Sequence, residues 1–228
     1  MTDFPPLDEA EMRHQICEVG HRLYQHFFVA ANDGNISVRL NEHEILVTPA
    51  NVGKGDLTPE MLVKITPEGQ QIEPNNGWRA SSESRMHLAI YRERRDIRAV
   101  VHAHPPTATG FAVANVGLDA PFLPEVVIRT GGTPVVPYAI PGGDELPQSI
   151  VPYLHDYVTL LLGNHGAVAY APTLREAMWH METIELNARI YLTAHQLGNI
   201  RFLNESEVEA LQKRYTGGKG PGRGATHE

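Results

Sequence analysis

The sequence predicts an α/β domain of three layers, with helices on both faces of a central sheet that is mostly antiparallel or mixed. Two observations support this class. Apolar residues occur both at helical spacing and in short strand-like runs along the whole chain. Strands and helices are also mixed without the strict strand–helix–strand order of a fully parallel sheet. We expect one such domain over residues 1–216 and a flexible glycine-rich tail at 217–228.

The N-terminal part of the chain predicts one helix and a small β-meander. The helix is expected at residues 8–29, because apolar residues recur at helical spacing from Met12 to Phe27 and Asp8 can cap its start. A turn at Asp33, Gly34 and Asn35 then leads into a short alternating strand that ends near residue 40. Two further strands are expected at 44–48 and 62–66, with proline and glycine in the connections.

The rest of the chain predicts helices and strands in a mixed order. Ser81 and Ser82 can cap a helix at 81–94, and the apolar run at 97–104 predicts a central strand. Thr173 and Glu176 form a capping box at the start of the longest helix. The other predicted elements are a helix opened by two prolines that runs through 109–113, a strand at 134–138, a helix at about 144–155, strands at 157–163 and 167–171, the longest helix at 173–197, and a last helix at about 205–214.

Composition excludes several classes of function. The 228 residues carry a net charge of −8, which argues against non-specific binding of nucleic acid. The single cysteine, Cys17, excludes an intrachain disulfide and a thiolate zinc cluster. No secretory signal is visible, and no apolar run is long enough to cross a bilayer. We therefore expect a cytoplasmic protein with neither a membrane nor a nucleic-acid partner.

Three of the twelve histidines stand at positions suited to metal ligands. His102 and His104 lie at i and i+2 at the end of an apolar strand, so their side chains leave the same face. His165 lies in a turn after another apolar strand, between Gly163 and Gly166. Three histidines with an open fourth position are typical of a catalytic zinc site. A pair of hydrogen-bonded core histidines produces the same His-x-His pattern, so spacing alone leaves both interpretations open.

Ser81, Ser82 and Glu83 form a second candidate cluster at the start of a predicted helix. Amides and hydroxyls at a helix N-terminus bind anions such as phosphate. A carboxylate next to a metal and an anion site can act as a general base. The same residues could also serve only as helix caps and as a favourable charge for the helix dipole.

These clusters and their flanking motifs resemble the class II aldolase/adducin family. Each short motif is weak alone, but the ordered set is specific and covers nearly the whole chain. The matching segments are residues 34–39 (GNISVR), 48–49 (TP), 54–58 (KGDLT), 81–83 (SSE), 102–104 (HAH), 131–132 (GG), 137–138 (PY) and 163–166 (GNHG).

The resemblance implies a central sheet flanked by helices, a fourfold homotetramer with active sites between subunits, and a divalent metal. Zinc is the common metal of the family, although three histidines do not distinguish Zn²⁺ from Mn²⁺, Co²⁺ or Fe²⁺. The family's metal ligands correspond to His102, His104 and His165. Its phosphate-binding positions correspond to Asn35, Ser81 and Ser82, with backbone groups near Gly34.

The resemblance also implies an activity, with a small phosphorylated sugar as the substrate. In the aldolases of the family, a ketose 1-phosphate is cleaved to dihydroxyacetone phosphate and an aldehyde through a metal-stabilised enediolate. Glu83 matches their catalytic carboxylate and is expected to act as the acid/base group.

The chain departs from the fuculose-phosphate aldolases of that family at two positions. Ala50 and Asn51 stand where those enzymes have Thr-Gly, and the Asn51 amide offers a donor in place of the lost hydroxyl. Glu125 stands near their tyrosine acid, and we expect it to be an acid/base in cleavage, a dehydratase base or a structural residue. Tyr215 lies near a second family tyrosine and is a further catalytic candidate.

Three alternatives to an aldolase stay open at this point. Two are enzymes of the same family, a sugar-phosphate dehydratase of the methylthioribulose-phosphate type and a 4-epimerase. The epimerases carry an aspartate where this chain has Glu83. The third alternative is an adducin-like interaction module, but adducin heads lack the metal histidines that are present here.

Overall fold

Residues 5–74 and 76–215 are described in the computed structural model. The predicted tail at 217–228 lies outside these residues, so the domain boundary at residue 216 stays a prediction. The strands are β1 (Asn35–Arg39), β2 (Ile45–Val47), β3 (Val63–Ile65), β4 (Ala99–Ala103), β5 (Val135–Val136), β6 (Thr159–Leu162) and β7 (Gly166–Ala171). The α-helices are α1 (Glu9–Gln25), α2 (Ser84–Glu93), α3 (Pro106–Ala114), α4 (Glu145–Ile150), α5 (Leu174–Gln196) and α6 (Glu205–Tyr215).

The seven strands form one mixed sheet in the order β3-β2-β1-β4-β7-β6-β5. Among the described strands, β5 and β6 pair in parallel and all other neighbours pair antiparallel. The predicted α/β class with a mostly antiparallel sheet is therefore confirmed. Strand β4 lies at the centre of the sheet, and all five of its residues are buried.

Two separate apolar clusters pack on the two faces of this sheet. One cluster joins the sheet to α1, α3 and α5, and the other joins it to α2 and α4. Successive residues of β4 belong to different clusters: Val101 to the first and Val100 to the second. This alternation follows from the strand geometry, in which neighbouring side chains leave opposite faces. Three layers result, as the sequence predicts.

Helix α1 is shorter than the predicted helix at 8–29. Its start is as expected, since the Asp8 carboxylate accepts a hydrogen bond of 2.9 Å from the Glu11 amide. Its end comes at Gln25, because Phe27 adopts a left-handed backbone with a φ of 57°. The prediction that Phe27 continues the apolar face is wrong, because this side chain is 80 % exposed. Phe28 is buried in the core instead.

Other elements differ from the predictions mainly in length. Helix α2 begins at Ser84, so Ser81 and Ser82 lie in the turn before it, and Glu83 is its N-cap residue. The strand expected at 134–138 is reduced to two residues, and a π-helical turn at Val126–Thr130 has no counterpart among the predicted elements. Helix α5 is capped by Thr173, as predicted. Within residues 5–74 and 76–215, no helix has the length and apolarity needed to cross a bilayer.

Candidate metal centre and anion cavity

The pairing of β4 with its neighbours brings the three predicted metal ligands together. His102 is the fourth residue of β4, and His104 directly follows this strand. Strand β7 runs antiparallel to β4, with Ala167 opposite Ala103, so the residue before β7 lies next to the end of β4. That residue is His165, in a turn where Asn164 takes a left-handed backbone with a φ of 55°.

The three imidazoles converge on one point. One nitrogen from each of His102, His104 and His165 lies within 4.8 Å of the others. The Nε2 atoms of His102 and His104 are 3.3 Å apart. The Nδ1 atom of His102 lies 2.9 Å from the Ala167 carbonyl oxygen, which can only accept a hydrogen bond. A neutral His102 therefore carries its proton on Nδ1 and points the Nε2 lone pair at the cluster, as a metal ligand requires.

Burial favours the uncharged imidazoles that a metal ion needs. It lowers the pKa values of His102 and His104 below the usual range, and the positive charge of a protonated His165 would lower them further. The Nδ1 atom of His165 is buried and has no hydrogen-bond partner in the described part of the chain. Three imidazole nitrogens at this spacing fit a divalent transition-metal ion.

Glu83 lies beside the same point. Its Oε1 is 3.2 Å from Nε2 of His165, and its Oε2 is 3.5 Å from Nε2 of His102. Nδ2 of Asn35 donates a hydrogen bond of 2.5 Å to Oε2. Burial alone would raise the pKa of Glu83, but the hydrogen bonds from His165 and Asn35, together with the charge of His102 or His165 whenever either is protonated, hold this pKa well below its usual range. Glu83 is therefore an ionised carboxylate at neutral pH.

Two glycines allow the backbone to approach this cluster closely. A Cβ atom on Gly166 would collide with the His104 ring and lie 2.6 Å from the Ala103 carbonyl oxygen. A Cβ atom on Gly34 would lie 2.8 Å from the His102 carbonyl oxygen, and Gly34 also has a left-handed φ of 72°. Larger residues at either position would push the metal-binding strand away from its neighbours.

A cavity of about 310 Å³ opens in front of the cluster. An isolated bridge between Pro49 and Ala80 brings two of its walls together, so the loop after β2 faces the start of α2. The described residues that line the cavity are Asn32, Asp33, Gly34, Asn35, Pro49, Ala50, Asn51, Ser81, Ser82, Glu83, His104, Pro141, Gly142 and His165. All five predicted substrate-binding residues therefore line the same cavity as Glu83. They are Gly34, Asn35, Asn51, Ser81 and Ser82.

Two predicted catalytic residues do not line this cavity within one chain. Glu125 is exposed and directly precedes the π-helical turn. Tyr215 is the last described residue and is 59 % exposed at the end of α6, which packs against that turn. Neither residue belongs to the wall of the cavity in its own chain.

The cavity also contains residues that sequence analysis did not assign to it. The Asp33 carboxylate lies 3.7 Å from Nδ1 of His104, and Pro141 and Gly142 form part of the rim. Asp33 directly precedes the matched segment at 34–39, so its position in the sequence was a usable signal. Pro141 and Gly142 lie between the strand predicted at 134–138 and the helix predicted at about 144–155, and nothing in this connection indicated which other loops it would face.

The chain is similar to known proteins over most of its length. The family model described as Class II Aldolase and Adducin N-terminal domain matches residues 14–192. The chain is 32 % identical over 219 residues to the 3-oxo-tetronate 4-phosphate decarboxylase of Escherichia coli K12. The matched region covers 93 % of this chain and 100 % of that protein. It is 30 % identical over 207 residues to the 5-deoxy-D-ribulose 1-phosphate aldolase of Bacillus thuringiensis, covering 90 % and 95 % of the two chains.

A solved structure shows the same architecture. An L-fuculose 1-phosphate aldolase superposes with a TM-score of 0.84 at 26 % identity, covering 92 % of this chain and 98 % of the other. The agreement extends over nearly the full length of both chains.

Proposed function

The chain belongs to the class II aldolase and adducin family, and we propose that it is a divalent-metal-dependent lyase acting on a small phosphorylated sugar derivative. One observation carries this proposal: three imidazole nitrogens and the Glu83 carboxylate meet at the end of a cavity lined by hydroxyl and amide donors. An adducin-like interaction module would have no use for such a cluster.

His102, His104 and His165 would hold the metal, with zinc as the first candidate and Mn²⁺, Co²⁺ or Fe²⁺ as the alternatives. A bound ion would supply a Lewis acid that stabilises the negative charge developing during carbon–carbon bond cleavage. The His102–Ala167 hydrogen bond keeps one ligand in the correct tautomer and orientation.

The phosphate of the substrate is assigned to the opposite part of the cavity. Ser81 and Ser82 lie in the turn before α2, where their hydroxyl groups and the positive end of the helix dipole favour an anion. Asn51 lines the same cavity and adds a side-chain amide. Asn35 donates to Glu83, and we therefore give it a second role, which is to hold that carboxylate in place.

Glu83 is the group that moves the proton at carbon. An ionised carboxylate near the histidine cluster can take a proton from the carbon next to a ketone, or return one after the carbon–carbon bond has broken. In decarboxylation the ionised Glu83 first takes a proton from solvent water and then passes it to the carbon that carries the electron pair of the broken bond.

Two reactions lead to the same enediolate. Loss of CO₂ from 3-oxo-tetronate 4-phosphate leaves the electron pair on the carbon beside the ketone, and protonation there gives dihydroxyacetone phosphate. Cleavage of a ketose 1-phosphate leaves the pair on the equivalent carbon and releases an aldehyde. The residues described above can serve both reactions.

We propose decarboxylation of a 3-oxo acid phosphate as the primary activity. The similarity to a decarboxylase of that substrate covers that protein in full. Decarboxylation also needs no group to remove a proton from the leaving fragment, because CO₂ carries none. Glu125 in place of the aldolase tyrosine is consistent with this simpler requirement.

Aldol cleavage of a ketose 1-phosphate is the second candidate. It is supported by the similarity to the Bacillus thuringiensis aldolase and by the exposed Glu125 carboxylate. In this version Glu125 and Tyr215 act in the cavity of a neighbouring subunit of a homotetramer, where one of them takes the proton from the hydroxyl group whose oxygen becomes the aldehyde oxygen.

An assay of the metal-loaded protein separates the two candidates. The protein is incubated with 3-oxo-tetronate 4-phosphate and, separately, with 5-deoxyribulose 1-phosphate, while CO₂, aldehyde and dihydroxyacetone phosphate are measured. We expect CO₂ and dihydroxyacetone phosphate from the first substrate, and Glu125→Gln should release both at nearly the wild-type rate. Aldehyde release from the second substrate, abolished in Glu125→Gln, would instead favour the aldolase. Absence of dihydroxyacetone phosphate in both incubations would refute the proposal for these two substrates.

A further inference from the structure

The cavity in front of the histidine cluster, called the anion cavity from here on, has no lysine or arginine among its described lining residues. Asp33 and Glu83, in contrast, place two carboxylates in its walls. A phosphate dianion entering this space meets negative charge. The start of α2 and a metal ion offset part of this repulsion. Within one chain, any further compensation has to come from behind the walls.

Lys54 lies directly behind two of these walls. It is 1 % exposed and is the only buried lysine in the described part of the chain. Its Nζ donates hydrogen bonds of 3.1 Å to the Asn32 carbonyl oxygen and 2.7 Å to the Val52 carbonyl oxygen. Asn32 begins the wall that continues through Asn35, and Val52 directly follows Asn51. One ammonium group therefore joins the two loops that carry most of the proposed phosphate ligands.

The charge of Lys54 acts on the cavity. Within the described ranges, no carboxylate comes within ion-pair distance of its Nζ, so its charge is not neutralised locally. Burial lowers the pKa of Lys54 to about 8, and the negative charges of Asp33 and Glu83 act in the opposite direction. Lys54 is thus still mainly protonated at pH 7. A buried charge is screened less by water and salt than one on the surface.

We propose that Lys54 is the charge-compensating and positioning residue of the anion cavity, where it holds the two loops together and strengthens phosphate binding by its buried positive charge. This inference rests on the proposed function in one respect, namely that the cavity receives the phosphate of the substrate. Lys54 need not touch the substrate to have this effect.

The coupling between phosphate binding and protonation of Lys54 distinguishes a charge effect from a purely structural role in holding the two loops. If the charge of Lys54 strengthens phosphate binding by some factor, bound phosphate must favour protonation of Lys54 by the same factor. A tenfold effect on affinity corresponds to a change of one in the pKa. A lysine that only holds the loops would bind its proton equally well with and without phosphate.

The first experiment follows Lys54 in the wild-type, metal-loaded protein. Its side-chain ε-carbon signal, assigned by its loss in Lys54→Gln, is titrated against pH with and without saturating inorganic phosphate. We expect phosphate to raise the pKa of Lys54 from about 8 to roughly 9. An unchanged pKa would overturn the inference. This measurement stands on its own if Lys54→Gln does not fold, since the chain has only Lys64, Lys213 and Lys219 besides Lys54 and the titration identifies the buried one.

The second experiment measures phosphate affinity by calorimetry in matched variants. Lys54→Gln keeps N–H donors for the two carbonyl groups but removes the charge. Lys64→Gln is the control, because Lys64 pairs with Glu9 and Glu44 at 3.0 Å and does not line the cavity. We expect the Kd for phosphate to rise roughly tenfold in Lys54→Gln, with wild-type metal content, and to stay unchanged in Lys64→Gln. An unchanged Kd in a folded, metal-loaded Lys54→Gln would refute the inference.

A third variant separates this inference from the proposed function. If Ser82→Ala weakens phosphate binding and Lys54→Gln does not, the cavity binds phosphate and only the role of Lys54 fails. If wild-type protein binds no phosphate, or if binding is insensitive to Ser82→Ala, the assigned phosphate site fails and the role of Lys54 fails with it.

Discussion

The two ring nitrogens of His102 have different surroundings, because Nδ1 is hydrogen-bonded to the backbone and Nε2 faces the histidine cluster. Its Nδ1 donates to a backbone carbonyl of β7, while its Nε2 faces two further imidazoles and the Glu83 carboxylate. Among residues 5–74 and 76–215, no histidine outside the cluster has this combination. His155, for example, is exposed and lies 3.9 Å from Glu93. The hydrogen bonding of a histidine therefore indicates its role better than its presence in a histidine-rich chain.

Loss of one ligand should remove the metal. We expect His102→Ala to lower metal affinity by at least about 100-fold, because even residues behind the ligands contribute about 10- to 100-fold. His155→Ala is the matched control and should keep wild-type metal content. Elemental analysis after dialysis against a weak chelator measures both. Full metal content in His102→Ala would contradict the assignment of the site.

Replacement of the carboxylate should separate metal binding from turnover. Glu83→Gln keeps the shape of the side chain and its contact with Asn35, but it cannot accept a proton. We expect kcat to fall by about 10²- to 10⁴-fold, with metal content unchanged. Glu93→Gln, at the far end of the same helix, should keep wild-type turnover. A Glu83→Gln variant with wild-type kcat would exclude Glu83 as the proton-transfer group.

At the scale of elements, the close approach of β4 and β7 depends on a missing side chain. A Cβ atom on Gly166 meets the Ala103 carbonyl oxygen and the His104 ring, whereas a Cβ atom on Gly110 in α3 meets nothing within 4 Å. We expect Gly166→Ala to lower the free energy of unfolding by about 1–3 kcal/mol and to weaken metal binding. Gly110→Ala should raise the free energy of unfolding by about 0.5–1 kcal/mol, because alanine favours a helix over glycine.

Chemical denaturation of the metal-free proteins measures both changes. Equal stability of Gly166→Ala and wild type would show that the two strands can separate without loss, which the packing described above does not allow.

Most helices and strands could be predicted from local sequence patterns. The contacts between them could not, because they depend on how distant segments pair. Helix caps such as Asp8 and Thr173 are local signals, and both predictions are confirmed. The approach of His165 to His104 depends on the antiparallel register of β4 and β7, which residue spacing does not encode. The Pro49–Ala80 bridge and the π-helical turn likewise depend on contacts between distant segments. For this reason the cavity rim at Pro141 and Gly142 was not predicted.

At the scale of the whole molecule, several apolar side chains are left on the surface near the cavity. Tyr138 and Ile140 are 61 % and 60 % exposed and lie within three residues before the rim residue Pro141. Phe27 is 80 % exposed, and the carbonyl oxygen of the next residue, Phe28, accepts a hydrogen bond from the His104 amide. Exposed apolar side chains of this kind fit the proposed homotetramer, in which subunits meet around each cavity.

We therefore expect light scattering to give a mass of four chains. Glu125→Gln should have the same mass, because one exposed carboxylate contributes little to an interface. A monomer at micromolar concentration would contradict the proposal that Glu125 and Tyr215 act in a neighbouring cavity, because neither lines the cavity of its own chain.

We propose that the histidine cluster and Glu83 form and protonate the enediolate of dihydroxyacetone phosphate. Both candidate reactions share this step, so one measurement tests it without a choice between them. Metal-loaded protein is incubated with dihydroxyacetone phosphate in D₂O, and deuterium at the hydroxymethyl carbon is followed by NMR. We predict incorporation with wild-type protein and none above background with the metal-stripped protein or with Glu83→Gln. Metal-loaded wild-type protein that leaves these protons unexchanged would contradict the account.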